Sequence, residues 1–311
     1  MPRTLVVAPN WIGDALMAQP LLARLHAEGP VDVLAPEWVA PVVRRMPEVD
    51  DVFAAPLQHG RLQLGTRWVL GKALGERGYG QAFVLPNSWK SALVPFFAHI
   101  PVRIGYRGEA RYLLLNRIHK SADEPMREHY ARLAGPAGPL SQTRLRSDAR
   151  QIEAVLKKFS LQKPYAVLCP GAEYGPAKRW PHFAALAQRM ELPVVLLGAS
   201  GDGEAAQGIA GVNLVGKTTL DEAIDLIAGA SGVVSNDSGL MHVAAALGRP
   251  LVALFGSSSP EHTPPQSAAA RVLWLKIECS PCYARECPLG HFRCMKELSV
   301  DMVSKELKII L

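Results

Sequence analysis

The chain reads as an α/β protein of two doubly wound, Rossmann-like domains facing a central cleft. Short apolar runs alternate with amphipathic stretches through both halves, the pattern of βα units on parallel sheets. A Gly-, Pro- and Arg-rich stretch of weak periodicity, residues 135–150, separates the halves and reads as a linker. The length of 311 residues suits two domains of ordinary size. Together these set the expected division at 1–150 and 151–311.

Thr4–Ala8 is the first strand. Its apolar run ends at Pro9-Asn10, too short for a secretory signal, so a cytoplasmic protein is expected. Ala15–Ala27 has helical periodicity, Val31–Leu34 is a strand, Pro36–Arg45 a helix and Ala82–Leu85 a strand. The second half opens near Pro164, with strands at Tyr165–Leu168, Pro193–Leu197, Gly232–Val234 and Leu251–Phe255. Helices fall at His182–Met190, Leu220–Ala230 and Gly239–Leu247. The amphipathic tail Val300–Ile310 is a helix expected to pack back.

Composition narrows the class. Apolar residues make up 49% and charged residues 20%, the balance of a folded globular chain. No apolar run approaches the roughly 20 residues of a membrane span. The net charge of +6 is uneven: residues 1–155 carry 19 Lys and Arg against 14 Asp and Glu, and residues 156–311 carry 15 against 14. Most of the excess is arginine, whose fork binds carboxylate and phosphate at two points. The first half therefore suits an acidic partner, although a solvated basic surface accounts for most of these residues taken singly.

The most informative stretch is Ser235-Asn236-Asp237-Ser238-Gly239-Leu240-Met241-His242. It joins a short buried strand to an Ala-rich helix, with two N-cap residue types, Asp237 and Ser238, at the junction. The unpaired N–H groups and partial positive charge of a helix N-terminus suit a phosphate, and His242 stands within reach of the same anion. An ordinary capped strand–turn–helix corner is the alternative. A second loop, Cys169-Pro170-Gly171-Ala172-Glu173-Tyr174-Gly175-Pro176-Ala177-Lys178-Arg179-Trp180-Pro181, also leaves a strand at its carboxyl edge. Its glycines allow close backbone approach, and Lys178 and Arg179 can neutralise a diphosphate.

In the first half, Pro9-Asn10-Trp11-Ile12-Gly13-Asp14 follows the first strand. A nicotinamide-binding turn needs Gly-x-Gly-x-x-Gly here, and Gly13 alone is present. Asp14 is either the cap of a helix starting at Ala15 or a general base at the strand edge where such sheets bind ligands. Asn87-Ser88-Trp89-Lys90-Ser91 and Arg103-Ile104-Gly105-Tyr106-Arg107-Gly108 are either surface loops or acceptor-facing segments. Asn87, Lys90, Arg103 and Arg107 are the candidate acceptor contacts. Cys279, Cys282, Cys287 and Cys294, with His291 among them, follow C-x2-C-x4-C-x6-C. In a cytosolic chain this reads as a structural zinc site or as a reduced loop. No Asp-x-Asp pair occurs, so a diphosphate would be held by helix N-termini and Lys or Arg without a divalent metal.

Four segments, Asn10–Asp14, Leu85–Ala98 (LPNSWKSALVPFFA), Pro170–Pro181 and Asn236–Leu247, agree in order and spacing with one family. The chain resembles glycosyltransferase family 9, the ADP-heptose:lipopolysaccharide heptosyltransferases, in the branch that adds the second heptose. The resemblance runs from Leu5 to about Pro265 and is weakest across 120–163. It implies a GT-B fold, with the acceptor on 1–150 and the nucleotide sugar on 151–311. It implies inverting transfer of L-glycero-D-manno-heptose from ADP-heptose to the first heptose of the lipopolysaccharide inner core. By motif match Asp14 is the base, Lys178 a catalytic, phosphate-side lysine, and Gly13, Gly171, Asp237, Ser238, Gly239 and His242 donor contacts. Catalysis would require no cofactor, and the partners would not include nucleic acid. Because such an acceptor is lipid-anchored, transient contact with the inner-membrane surface is expected, from a cytoplasmic location peripheral to that membrane. Leu93–Ala98 is an apolar candidate for the contact, and a buried helix explains it equally. A type I or III heptosyltransferase is the alternative within the family, while a non-catalytic nucleotide-sugar binder is disfavoured by the pairing of Asp14 with Lys178.

Overall fold

The computed structural model describes residues 3–58, 60–136 and 138–311. Ala137, inside the predicted linker, lies outside the described residues. The chain forms two compact units, Met1–Thr143 and Arg144–Leu311. The division falls before residue 150 because the helix Ala149–Lys158 already belongs to the second unit, its start capped by Asp148, whose carboxylate accepts from the Arg150 N–H at 2.8 Å.

The first unit holds six parallel strands: β1 Arg3–Val7, β2 Val31–Pro36, β3 Asp51–Ala55, β4 Tyr79–Val84, β5 Val102–Tyr106 and β6 Arg117–His119. Their order across the sheet is β3-β2-β1-β4-β5-β6. The second unit repeats this with β7 Ala166–Cys169, β8 Val194–Leu196, β9 Val212–Asn213, β10 Gly232–Asn236, β11 Leu251–Phe255 and β12 Ala270–Trp274. Their order is β12-β11-β10-β7-β8-β9, the same winding. Each unit thus reverses direction beside its own first strand, between β1 and β4 and between β7 and β10. Val7 pairs with Val84 and Cys169 with Ser235, so the two loops at each reversal leave the sheet side by side. Ligands of doubly wound sheets bind at such points, beyond the carboxyl ends of the strands.

The central strands are apolar runs because helices cover both faces of a parallel sheet. Leu5, Val6, Val167, Leu168, Val233 and Val234 are buried. Burial of each such side chain contributes about 1.5–3 kcal/mol before conformational entropy is set against it. The C-terminal helix Val300–Ile310 places Val303 and Leu307 in the core of the second unit, with Leu168, Val234 and Leu254. Among the described residues no helix is long and apolar enough to cross a membrane.

Three local expectations change. The helix expected over Ala15–Ala27 is two helices, Ile12–Met17 and Gln19–Glu28, broken at Ala18 (φ −79°, ψ −9°). Pro20 has no N–H to continue the ladder. The helix expected from Pro36 begins at Ala40, because Pro36 still belongs to β2. Leu93–Ala98 is largely buried, with Leu93, Val94 and Pro95 enclosed. Its partner is the helix Leu64–Gly75, where a Cβ on Gly71 would stand 2.5 Å from the Phe97 Cβ, so only glycine permits this approach. The apolar character of Leu93–Ala98 therefore serves packing. The solvent side of Leu64–Gly75 exposes Leu64, Trp68 and Val69 instead.

Candidate functional site

The donor-side candidates meet at the β7/β10 reversal. Asp237 follows β10, and its N–H donates to the Leu254 carbonyl at 3.0 Å, which turns its carboxylate toward the loop after β7. Lys178, in the single turn Pro176–Lys178, reaches Asp237 Oδ2 with its Nζ at 2.5 Å. Ser258 Oγ donates to the same oxygen at 2.5 Å. His242 Nε2 lies 4.0 Å from Asp237 Oδ1. Lys178 also stands 4.8 Å from the Tyr174 ring centre, a cation–π contact.

Ser238 occupies the N-cap position of the helix Gly239–Ala246 in extended conformation, yet its side chain makes no capping bond. Its hydroxyl lies 3.2 Å from Ser235 Oγ instead. The first N–H groups of this helix therefore face outward without a side-chain cap, as an anion site requires. Among the described residues, His242 Nδ1, Ser257 Oγ and Arg179 Nε are buried with no hydrogen-bond partner. An orphaned ring nitrogen on His242, beside the carboxylate of this pair, suits a polar ligand.

Gly171 faces inward: a Cβ there would lie 2.0–2.4 Å from the Asp202 carboxyl atoms. Asp202 is buried, accepts from the Ala199 N–H at 3.0 Å and lies 3.8 Å from the Arg179 guanidinium. Asn236 ties the same loop down, donating to the Pro170 carbonyl at 2.7 Å and accepting from the Trp180 N–H at 3.0 Å. Asn236, Asp202, Ser257 and Ser258 were not among the sequence candidates. Ser257 and Ser258 follow β11 after Gly256, so the strand-edge rule would have found them; nothing in the sequence marks Asp202.

Burial pushes the His242 pKa down to about 4, with Lys178 adding to the effect and Asp237 opposing it. The ring is therefore neutral at physiological pH and can donate or accept, but carries no charge. Between pH 6.5 and about 4 the unfolded chain binds the proton that folded His242 refuses. Stability is then expected to fall as pH drops through that window, by up to about 3 kcal/mol. Urea unfolding from pH 7 to pH 4.5 should show a shallower loss in His242→Gln than in the wild type. Equal slopes would contradict the assignment.

The first unit carries its own concavity at the β1/β4 reversal. A cavity of about 520 Å³ is lined by residues that include Asn10, Arg67, Asn87, Trp89 and Lys90. Two of the four candidate acceptor residues, Asn87 and Lys90, are on its wall. Arg103 and Arg107 are not. Arg103 donates at 2.6 Å to both the Leu114 and Ile100 carbonyls, and Arg107 donates to the Tyr112 hydroxyl at 2.9 Å. These bonds brace β5 and the following turn.

Two other arginines shape the cavity. Arg111, 2% exposed, donates to the carbonyls of Pro86, Ser88 at 3.4 Å and Tyr106 at 2.6 Å, and to Asn87 Oδ1 at 3.2 Å. Arg67 is buried and donates to the carbonyls of Leu62 at 2.7 Å and Lys90 at 3.0 Å. Burial lowers the pKa of both guanidinium groups from the usual arginine range, yet they remain cations. They place buried positive charge beside the cavity.

Asp14 is the third residue of the helix Ile12–Met17, whose N-cap is Trp11. It does not cap a helix beginning at Ala15, because the helix starts earlier. Gly13 precedes it in the same first turn. The Asp14 carboxylate is near enough to the buried Tyr130 hydroxyl to raise that group's pKa, after burial itself. Cys279, Cys282, Cys287 and Cys294, all free thiols, line a separate small cavity with His291.

Two Rossmann-like units of the same winding, one with an uncapped helix N-terminus and a lysine at its reversal, the other with a polar cavity and an aspartate, define a GT-B glycosyltransferase. The chain belongs to glycosyltransferase family 9, the heptosyltransferases, whose family model matches residues 67–293. It is 43% identical to lipopolysaccharide heptosyltransferase 2 of Escherichia coli (strain K12), over 99% of this chain and 98% of that relative. A solved structure of E. coli ADP-heptose lps heptosyltransferase II superposes with a TM-score of 0.87 at 40% identity, covering 99% of this chain and 98% of the other. Lipopolysaccharide heptosyltransferase 1 of Salmonella typhimurium (strain LT2) is more distant, 26% identical over 83% of this chain and 89% of its own length.

Proposed function

We propose that this heptosyltransferase moves L-glycero-D-manno-heptose from ADP-heptose onto the first heptose of the lipopolysaccharide inner core, with inversion. The carrying observation is the Lys178–Asp237 pair beneath the uncapped helix Gly239–Ala246, in a chain far closer to a type 2 than to a type 1 relative.

The reaction is a single displacement. The acceptor hydroxyl oxygen attacks the anomeric carbon, the bond from that carbon to the β-phosphate oxygen breaks, and the hydroxyl proton passes to Asp14. ADP leaves with the electron pair. Lys178 and the N–H groups of Gly239–Ala246 stabilise the charge that develops on the diphosphate. Asp237 holds the Lys178 ammonium in place, leaving two of its three hydrogens for phosphate oxygens. Neutral His242 adds a hydrogen bond without adding charge. Asn87 and Lys90, with buried Arg67 and Arg111 behind them, present a basic wall to an acidic acceptor.

The acceptor's lipid anchor puts this enzyme at the cytoplasmic face of the inner membrane. The contact is assigned to the helix Leu64–Gly75, whose outer side carries Leu64, Trp68 and Val69, with Lys72 5.9 Å from the Trp68 ring. Tryptophan and lysine at the border of an apolar ridge match a headgroup interface. Leu62, next to this ridge, also lines the acceptor cavity.

ADP release from ADP-heptose, with mass spectrometry of the product, tests the reading. Release that depends on a one-heptose core, with a gain of one heptose in mass, is expected. Transfer only to heptose-free core would reassign the enzyme to type I. Trp68→Ser/Val69→Ser should reduce co-sedimentation with anionic vesicles while sparing transfer to a delipidated acceptor; undiminished co-sedimentation would remove the helix from the membrane contact.

A further inference from the structure

We infer that Cys279, Cys282, Cys287 and Cys294 together bind one thiophilic divalent cation, zinc by preference, with His291 outside the ligand set, and that this ion fixes the loop that supports the donor site.

The four thiols and His291 converge on a cavity of about 20 Å³, room for little more than one atom. Ala177, Ser257, Ser280, Pro288, Leu289 and Phe292 complete its wall. No carboxylate and no cationic side chain lines it, so its strong donors are soft sulfur and one imidazole. That donor set selects zinc and similar ions over magnesium or calcium. The Phe292 N–H donates to Cys287 Sγ at 3.4 Å, a bond that favours the thiolate.

The imidazole settles the ligand count. His291 Nδ1 accepts from the Arg293 N–H at 3.0 Å, so in the neutral ring the proton is on Nε2. Nε2 lies 4.0 Å from Cys279 Sγ. A protonated nitrogen cannot ligate, but it can donate to a metal-bound thiolate, and that leaves four sulfurs for a tetrahedral ion. Among the described residues no three of these groups stand in coordinating geometry as their side chains lie. A cysteine reaches its ligand position by rotation about χ1, and the ion supplies the attraction that closes the set. Binding releases the thiol protons to solvent as the four sulfur–metal bonds form.

The fold gives the ion something to hold. Between β12 and the short helix Arg293–Lys296 the chain has no helix or strand, and a long irregular loop needs its own anchor. This loop is bonded directly to the donor-side loops. The Ala177 N–H donates to the Arg285 carbonyl at 3.0 Å, the Tyr174 hydroxyl to the Tyr283 carbonyl at 2.6 Å, and the Tyr283 N–H to the Ser257 carbonyl at 2.7 Å. A Cβ on Gly175 would stand 2.4 Å from the Arg285 carbonyl oxygen. Lys178 and Ser258, the two partners of Asp237, thus lie next to residues pinned by the cysteine loop. Metal binding itself is independent of the transfer reaction; its effect on nucleotide affinity rests on the donor-site reading above.

Elemental analysis of full-length protein, purified reduced and without chelator, should find one zinc per chain. Protein lacking it should take up one equivalent from zinc chloride. Cobalt(II) chloride should give the visible bands of a tetrahedral thiolate site. Cys279→Ser/Cys282→Ser should abolish uptake, and His291→Asn should retain it. If the cysteine variant fails to fold, chelator-treated wild type replaces it, with a lowered Tm that added zinc restores. ADP affinity should be severalfold weaker without metal; weaker affinity absent metal loss would implicate the donor-site reading alone. A reduced wild type that neither contains nor takes up metal would overturn the inference, and loss of metal in His291→Asn would overturn the four-sulfur assignment.

Discussion

Asp14→Asn is expected to lower kcat by about two to four orders of magnitude, the range over which a positioned general base acts, while ADP-heptose binds as tightly as before. The amide keeps the size and hydrogen-bonding reach of the carboxylate but cannot take the acceptor's proton. Asp14 lies in the first turn of Ile12–Met17. The substitution is isosteric, and an unchanged Tm would show that the fold is intact. Apart from the Gly13 backbone, which the substitution leaves in place, the donor contacts are in the other unit, so the loss should fall on kcat and not on the donor KM. Titration calorimetry with a non-transferable donor, beside steady-state kinetics, separates the two. Turnover near the wild-type rate would remove Asp14 from the base role.

The second large effect is expected at Lys178. Its ammonium and the Asp237 carboxylate are both mostly buried, 16% and 6% exposed at the side chain. Lys178→Ala removes transition-state stabilisation of the leaving diphosphate, and a loss of about 10²–10³ in kcat/KM is expected, with kcat reduced and donor KM raised. The same change strands a buried carboxylate with only Ser258 and neutral His242 beside it, at a cost of about 3–5 kcal/mol. Lys178→Ala/Asp237→Ala should recover much of that stability and none of the activity. Kinetics unchanged in the single variant would place Lys178 outside the site; a double variant no more stable than the single would show that the carboxylate was not stranded.

The central strands were legible because a parallel sheet covered on both faces leaves an uninterrupted apolar run, as at Leu251–Phe255. The edge strands were not, and neither was the interior strand β5, whose Arg103–Tyr106 stretch reads as a loop in the sequence. Asp51–Ala55, Arg117–His119 and Ala270–Trp274 mix charged residues into half-exposed segments, where no period dominates. The donor loops were legible for a related reason: they follow legible strands, and Asp237, Lys178 and His242 are where a strand-edge argument puts them. The acceptor side was harder. Arg103 and Arg107 looked available because they are arginines in a basic half, yet neither lines the cavity, and two backbone carbonyls hold Arg103. Arg67 and Arg111 are distant in sequence from the loop they support, and only folding brings them to it.

The grip of those two arginines has an evolutionary consequence. Arg111 holds the backbone oxygens of Pro86 and Ser88, and Arg67 that of Lys90. The loop's course is therefore encoded largely by residues outside the loop itself. Trp89 and Lys90 can be exchanged by single substitutions without redrawing the chain that carries them. A lineage confronted with a different core oligosaccharide can sample new acceptors at these two positions while the arginines keep the scaffold constant.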